Sequence, residues 1–347
     1  MAGAKSIEAL SLSFTAGALA GTMISAAASW SACAGLLTVS AIMLLLGRKL
    51  EINAVFLLVF MLLGSFCAIN ASMMPEVALT LPGAGQLRSL ISGIPFSNST
   101  TAPLLCALIT GDRSGLSPET VNAFRASGAS HILALSGLHI GIIYLIFDRL
   151  TRVIGRTPAA RHIRFWTIVL GAGYFTLMTG AGPSIVRAFL FILINETLRL
   201  TGRPRNPVRV LCLALLVQLV LQPRVLSTIG FQLSYLAMAG VFILYPALER
   251  LYPESRSPLR WVWKSALLTI SCQAFTAPLV WLRFHTFPRY FLLANLLALP
   301  LTTCLMTVAL GTIFLAGTGI CPSFAAAAAD SLCSLLVWVL DTIASLG

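Results

Sequence analysis

The amino-acid sequence predicts an all-α protein, a polytopic bundle of about eleven membrane-spanning helices, and three observations carry that expectation. Hydrophobic residues make up 58% of the chain and charged residues only 10%, against roughly 25% charged in a soluble domain. The mean hydropathy is +0.91, which excludes a water-soluble globule. No charged residue falls between Glu8 and Arg48 or between Arg289 and Asp330, and each stretch is long enough to cross a hydrocarbon core of about 30 Å nearly twice.

Charge-poor windows place the spans, in order, at 11–30, 31–46, 54–70, 131–147, 165–180, 183–198, 208–222, 229–246, 262–282, 290–316 and 322–346. If they alternate, one side receives Lys5, Arg48, Lys49, the arginines between 149 and 164, those between 199 and 209, and Arg250, Arg256, Arg260 and Lys264. That is sixteen of the 23 cations. The other side receives Arg88, Arg113, Arg125, Arg224, Arg283 and Arg289, and Arg187 is left inside a span. The positive-inside rule makes the first side cytoplasmic. The N-terminus is then inside, the C-terminus outside, and 71–130 extracytoplasmic. The net charge of +12 is used first to fix topology and identifies no partner by itself. The eight cysteines show no C-x-x-C spacing and read as small packing residues. The apolar N-terminal run reads as an uncleaved first span, because a second apolar run follows it directly.

Three domains are expected: N-terminal helices over 1–70, an irregular extracytoplasmic connector over 71–100 rich in Pro, Gly and Ser, and a membrane domain over 101–347. Within 101–128 the pattern predicts two short amphipathic helices at the outer face. Ser117 is placed to cap the second, Pro118 to begin it and Gly128 to end it.

Polar and small residues concentrate at three places inside the apolar runs. In HILALSGLHIG, Gly137 and Gly141 form a GxxxG pair suited to close helix packing, while His139 and Ser136 are polar at a depth where ionisable groups usually face a bundle interior or wet cavity. In TGAGPSIVRAFL, Gly180, Gly182 and Pro183 must interrupt a helix, and Pro183 suits the start of a new one. Arg187 lies four residues on, on the same face. It calls for compensation, either an anion at the helix start or an ion pair, for which Asp341 is the acid nearest in depth. Asp341 and Asp330 are eleven residues apart and share a helix face. In STIGFQLSYLAMAG, Gln232 and its polar neighbours either bond across helices or line a hydrated path. Catalysis has little support. Four histidines with no acidic or Cys partner at ligand spacing predict no metal or other cofactor, and a Ser136 nucleophile would need a base from another helix.

GDRSGLSPETVNAFRASGASHILALSGLHIG resembles the opening of the membrane domain of the ComEC family of bacterial competence proteins. TGAGPSIVRAFL, RPRNPVRVL and LQPRVLSTIGFQLSYLAMAG resemble later blocks of that domain in the same order, so that about 101–346 are covered. The resemblance implies a non-enzymatic inner-membrane channel that passes single-stranded DNA during transformation; a secondary transporter of a small anion and a non-transporting membrane scaffold of a DNA-uptake complex are the alternatives the residues leave open. Long members also carry an OB-type domain after the first helices and a metallo-β-lactamase-like nuclease domain. Neither is seen in this sequence, since 71–100 is too thin and no H-x-H-x-D-H cluster is present, so the chain is expected to be either a stand-alone channel module working with a separate DNA receptor, nuclease and cytoplasmic motor, or a fragment of a longer product. On this reading Pro183 and Arg187 attract phosphate, Ser136, His139 and Gln232 lie near the path, and Arg113 and Arg125 either steer DNA from outside or anchor the interface. Trp30, Trp261 and Trp263 read as interfacial belt residues.

Overall fold

The structure, a computed structural model, describes residues 2–24, 52–73, 81–155, 157–251, 259–285, 289–319 and 323–346. The expected span 31–46 lies outside the described residues, as do the end of 11–30 and Trp30. Fifteen α-helices are described: α1 (Ala2–Ile24), α2 (Ile52–Met73), α3 (Ala84–Gly93), α4 (Thr101–Thr110), α5 (Pro118–Ala126), α6 (Ser130–Leu133), α7 (Gly137–Thr151), α8 (Pro158–Met178), α9 (Pro183–Leu200), α10 (Pro207–Leu221), α11 (Ile229–Ile243), α12 (Tyr245–Glu249), α13 (Leu259–Phe284), α14 (Phe291–Gly317) and α15 (Ser323–Ser345). No strand occurs among the described residues. Pro opens α5, α8, α9 and α10, where its missing N–H costs nothing. Ser117, Thr157 and Asn206 cap the first turns of α5, α8 and α10 with side-chain oxygens.

Among the described residues, four stretches are long and apolar enough to cross a membrane: Ile229–Glu249, Arg260–Phe284, Phe291–Gly317 and Ser323–Ser345. The chain also wears its apolar side outward. Leu170, Phe314, Phe324, Trp338 and Leu282 are exposed while His139, Gln218, Ser271 and Thr302 are buried. That inversion suits a hydrocarbon solvent, in which polar groups must find partners inside the protein.

The chain packs as two units, Met1–Ala78 with Phe189–Met238, and Leu79–Ala188 with Ala239–Gly347. In the first, α1 lies along α2 and against α10. Gly17, Gly21 and Gly64 make the contact: a Cβ on Gly17 would come within 1.7 Å of the Met61 carbonyl oxygen, and one on Gly64 within 2.1 Å of that of Phe14. The Ser65 hydroxyl donates to the Gly17 carbonyl at 2.7 Å. In the second unit, α14 and α15 pack together and against α3–α5 around Leu104, Leu105, Leu108, Phe124, Leu305 and Leu336.

Two expectations about the outer segment are corrected. Residues 84–93 of the supposed irregular connector form helix α3. Of the two helices expected to be amphipathic, α5 is, with Thr120, Ala123 and Phe124 buried, but α4 is buried on nearly every face. The sequence TAPLLCALIT has no polar stripe to give to water, so α4 packs inside, paired with α3. The turn joining them is polar. Asp330 of α15 accepts from the Ser97 amide at 2.7 Å and Ser334 accepts from the Asn98 side chain at 3.0 Å. The α3–α4 hairpin is thereby held against a helix long enough to span the membrane, and such backbone is tolerated at depth only when buried in protein or facing water.

Candidate functional site

The expected span 131–147 is not one helix. α6 ends at Leu133, Ala134 is extended, and Ser136 (φ −123°, ψ 173°) begins α7 as its N-cap. The Ser136 hydroxyl accepts from the Leu138 amide at 3.2 Å, and His139 reaches back so that Nδ1 accepts from the Ser136 amide at 3.0 Å. This is a capping box with histidine where Glu or Gln usually stands. Ser136 and His139 are therefore partners in starting a helix. The Ser136 hydroxyl also lies 3.1 Å from Nδ1, but that nitrogen is already engaged by the backbone amide, which removes the base a Ser136 nucleophile would need.

A second break follows at 179–182. α8 closes with Thr179 donating to Phe175 O and Ala181 to Thr176 O, Gly180 and Ala181 take positive φ of 83° and 49°, and α9 starts at Pro183. Arg187, one turn into α9, is buried at 7% exposure. Its guanidinium reaches the start of α7: a Cβ on Gly137 would lie 3.4 Å from an Arg187 nitrogen and 3.5 Å from Ala188 Cβ. Ser136, Gly137 and His139 thus build the start of α7, and the Arg187 guanidinium lies beside Gly137, at a distance where even a Cβ would make only ordinary contact. Gly141 does not share in this, since nothing lies within 4 Å of where its Cβ would be.

The suggested Arg187–Asp341 pair is overturned. Asp341 is exposed while Asp330 is buried. Eleven residues bring a helix back to the same face with a drift of about 20°. The buried stripe of α15 runs through Ala326, Cys333, Leu336 and Leu340; Asp330 sits at its edge and the drift carries Asp341 past it.

Arg113 and Arg125 are both exposed. Arg113 Nε donates to the Leu133 carbonyl at 3.1 Å, tying the loop after α4 to the end of α6 beside the first break. Gln232 lies in the first unit, where its amide donates to Leu226 O at 2.9 Å and secures the start of α11. Trp261 and Trp263 are exposed.

Two features were missed in the sequence. Asp148, at the far end of α7, is buried and takes Arg152 through Nε at 2.9 Å and Nη2 at 2.6 Å, with Arg164 of α8 on its other oxygen. The i, i+4 spacing of Asp148 and Arg152 was a readable signal. The other is Asp112, in the loop after α4, which pairs with Arg88 of α3. Hydrogen bonds from Ser114, then from Arg88, hold its carboxyl well down, at about 2. Beside this pair a pocket of about 430 Å³ is lined by Gly83, Gly85, Arg88, Gly111, Asp112 and Gly180, among others. Among the described residues no group of three His, Cys, Asp or Glu could hold a metal ion.

The described residues, all-helical in fold with four stretches able to cross a membrane and a buried arginine one turn into α9, define a helical membrane protein. Residues 108–347 match the family described as Competence protein, and the chain belongs to that family. It is 28% identical over 227 residues to ComE operon protein 3 of Bacillus subtilis (strain 168), covering 64% of this chain and 28% of that protein. It is 27% identical over 229 residues to Recombination protein 2 of Haemophilus influenzae, covering 62% and 29%. With Uncharacterized protein YcaI of Escherichia coli (strain K12) it shares 26% over 280 residues, covering 78% and 36%. The chain thus spans about a third or less of the length of these relatives. No solved structure matches it.

Proposed function

We propose that this chain forms the path by which single-stranded DNA crosses the bacterial cytoplasmic membrane during natural transformation. The observation that carries the reading is the buried Arg187 guanidinium against the start of α7, in a chain whose residues 108–347 belong to the competence proteins. A cation inside an apolar bundle, beside amides with no intrahelical partner, is chemistry suited to a passing phosphate. Arg113 and Arg125, exposed on the outer segment, steer the strand toward it by a charge-driven and salt-sensitive attraction. On this reading the full count of about eleven spans holds, the N-terminus is cytoplasmic and 81–130 is extracytoplasmic. A DNA receptor, a nuclease and a cytoplasmic motor act with it.

One observation favours a second reading, secondary transport of a small anion. Such carriers are built on paired discontinuous helices, and among the described residues the helices are interrupted at 134–136 and at 179–182. In-frame deletion separates the two. Loss of transformation with labelled DNA still captured at the cell surface supports the DNA path; transformation at the parental rate refutes it and leaves the carrier.

A further inference from the structure

The imidazole of His139 is fully buried, and its two nitrogens are in different situations. Nδ1 accepts the Ser136 backbone N–H at 3.0 Å. An amide can only donate, so Nδ1 carries no proton, and the ring proton of the capped histidine sits on Nε2. That Nε2 is buried without a hydrogen-bond partner. An orphaned N–H in an apolar surrounding costs about 1–3 kcal/mol, and natural proteins seldom leave one without a use. The cap makes the arrangement rigid, because turning the ring to satisfy Nε2 would give up the Ser136 amide.

Three donors belong to this helix start: the Nε2–H of His139 at its third residue, the Arg187 guanidinium near Gly137, and the first-turn amide of Gly137, which has no intrahelical acceptor by its position. The positive end of the α7 dipole adds to them. Every one of these groups gives a proton or a positive field, so the fitting ligand is an oxyanion with several acceptor oxygens. A set made only of donors reads charge and oxygen, with no feature that selects a base. We infer that His139 and Arg187 together form a binding site for one phosphodiester group of the passing strand, His139 donating to a non-bridging oxygen and Arg187 neutralising the charge. The inference rests on the DNA-path reading and deepens it. Because the ring is fully covered, the phosphate reaches it only when the surrounding helices part, which places the site in the conducting state.

The capping box supplies variants that separate fold from ligand. Gln and Glu are the residues that ordinarily reach back from this position, so both preserve the start of α7. His139→Gln keeps a side-chain N–H donor; His139→Glu replaces it with a like charge facing the phosphate. In the transforming host, with membrane levels of each variant measured, His139→Gln is expected to stay within about threefold of wild type. His139→Glu is expected to fall about a hundredfold, the size of one charge-assisted hydrogen bond. Equal transformation by the two variants overturns the site. Should His139→Glu fail to accumulate, the wild-type chain in lipid nanodiscs decides instead. With ¹⁵N-labelled histidine, a short oligothymidylate is expected to shift the His139 Nε2 resonance, and the uncharged methylphosphonate oligomer of equal length is expected not to. No shift with either, or the same shift with both, overturns it. The deletion strain keeps the two levels distinct: if deletion leaves transformation intact, the DNA-path reading fails, and if only the His139 variants behave alike, the site alone fails.

Discussion

Replacing Gly17 by Ala adds a single methyl where α1 and α2 touch most closely. The new Cβ would lie 1.7 Å from the Met61 carbonyl oxygen and 2.8 Å from Met61 Cα. Ordinary C···O contact is about 3.3 Å or more, so the helices must part locally by about 1.5 Å. No flexible side chain can yield, because the obstructing atoms are backbone. A gap of 0.5–1 Å already forfeits a quarter to a half of the dispersion between facing atoms, and overfilling a close-packed interface costs about 1–3 kcal/mol. The same movement breaks the Ser65 hydroxyl bond to Gly17 O, worth about 0.6 kcal/mol within a membrane. Together the loss is about 2–4 kcal/mol. The contrasting variant is Gly141→Ala: no atom lies within 4 Å of that Cβ, and Ala in place of a helical Gly gains about 0.5–1 kcal/mol. Thermal unfolding of the purified chain in detergent, followed by circular dichroism, is expected to show Gly17→Ala well below wild type and Gly141→Ala at or above it. The reasoning is refuted if Gly17→Ala unfolds with the wild type or if Gly141→Ala is the more damaging change.

Further outcomes follow from other sites. Asp148→Asn removes the carboxylate that pairs with Arg164, whose side chain is only 15% exposed, and is expected to cost about 3–5 kcal/mol; detergent unfolding midpoints check it, and a midpoint equal to wild type would show the cluster to be idle. The depressed carboxyl of Asp112 stabilises the loop after α4 at pH above its unfolded value of about 3.9, and this is lost as pH falls through about 2. Carboxylate NMR is therefore expected to show Asp112 titrating last among the exposed acids, and later than in an Arg88→Gln, Ser114→Ala double variant. Arg113→Glu with Arg125→Glu is expected to lower DNA internalisation more at low salt than at high salt; a loss independent of salt would mean misfolding, and no loss would make the two arginines interfacial anchors. Reporter fusions after residues 155 and 202 are expected to read cytoplasmic and one after Gly115 extracytoplasmic, the reverse pattern inverting the topology.

Much of this was legible because the pattern had one physical meaning. Gly180, Gly182 and Pro183 within four residues disfavour a continuous helix, and α9 starts at Pro183. Ser117 and Pro118 could be read as a helix start because side-chain capping and a missing N–H are local matters. The break at 134–136 was not legible: Ala-Leu-Ser-Gly-Leu-His is apolar enough to continue a helix, and its capping box carries His139 in place of Glu or Gln. The GxxxG pair read as close-packing was Gly137 with Gly141, yet the close approach is made by Gly17 and Gly21. Both pairs have the same spacing, and only the position of the partner backbone decides which one needs bare Cα atoms. Asp341 failed as a partner for Arg187 because a 20° drift matters at the edge of a buried stripe and sequence spacing does not show where the edge lies.

The central claim is that the strand passes the start of α7. It is tested most directly by placing a photoreactive amino acid at Leu138, between Gly137 and His139, in a host taking up labelled DNA, and illuminating during uptake. A covalent adduct between this residue and single-stranded DNA is expected, lost when Arg187→Gln is added, while the same probe at the exposed Leu170 gives none. DNA internalised at the normal rate with no adduct at residue 138 would contradict it.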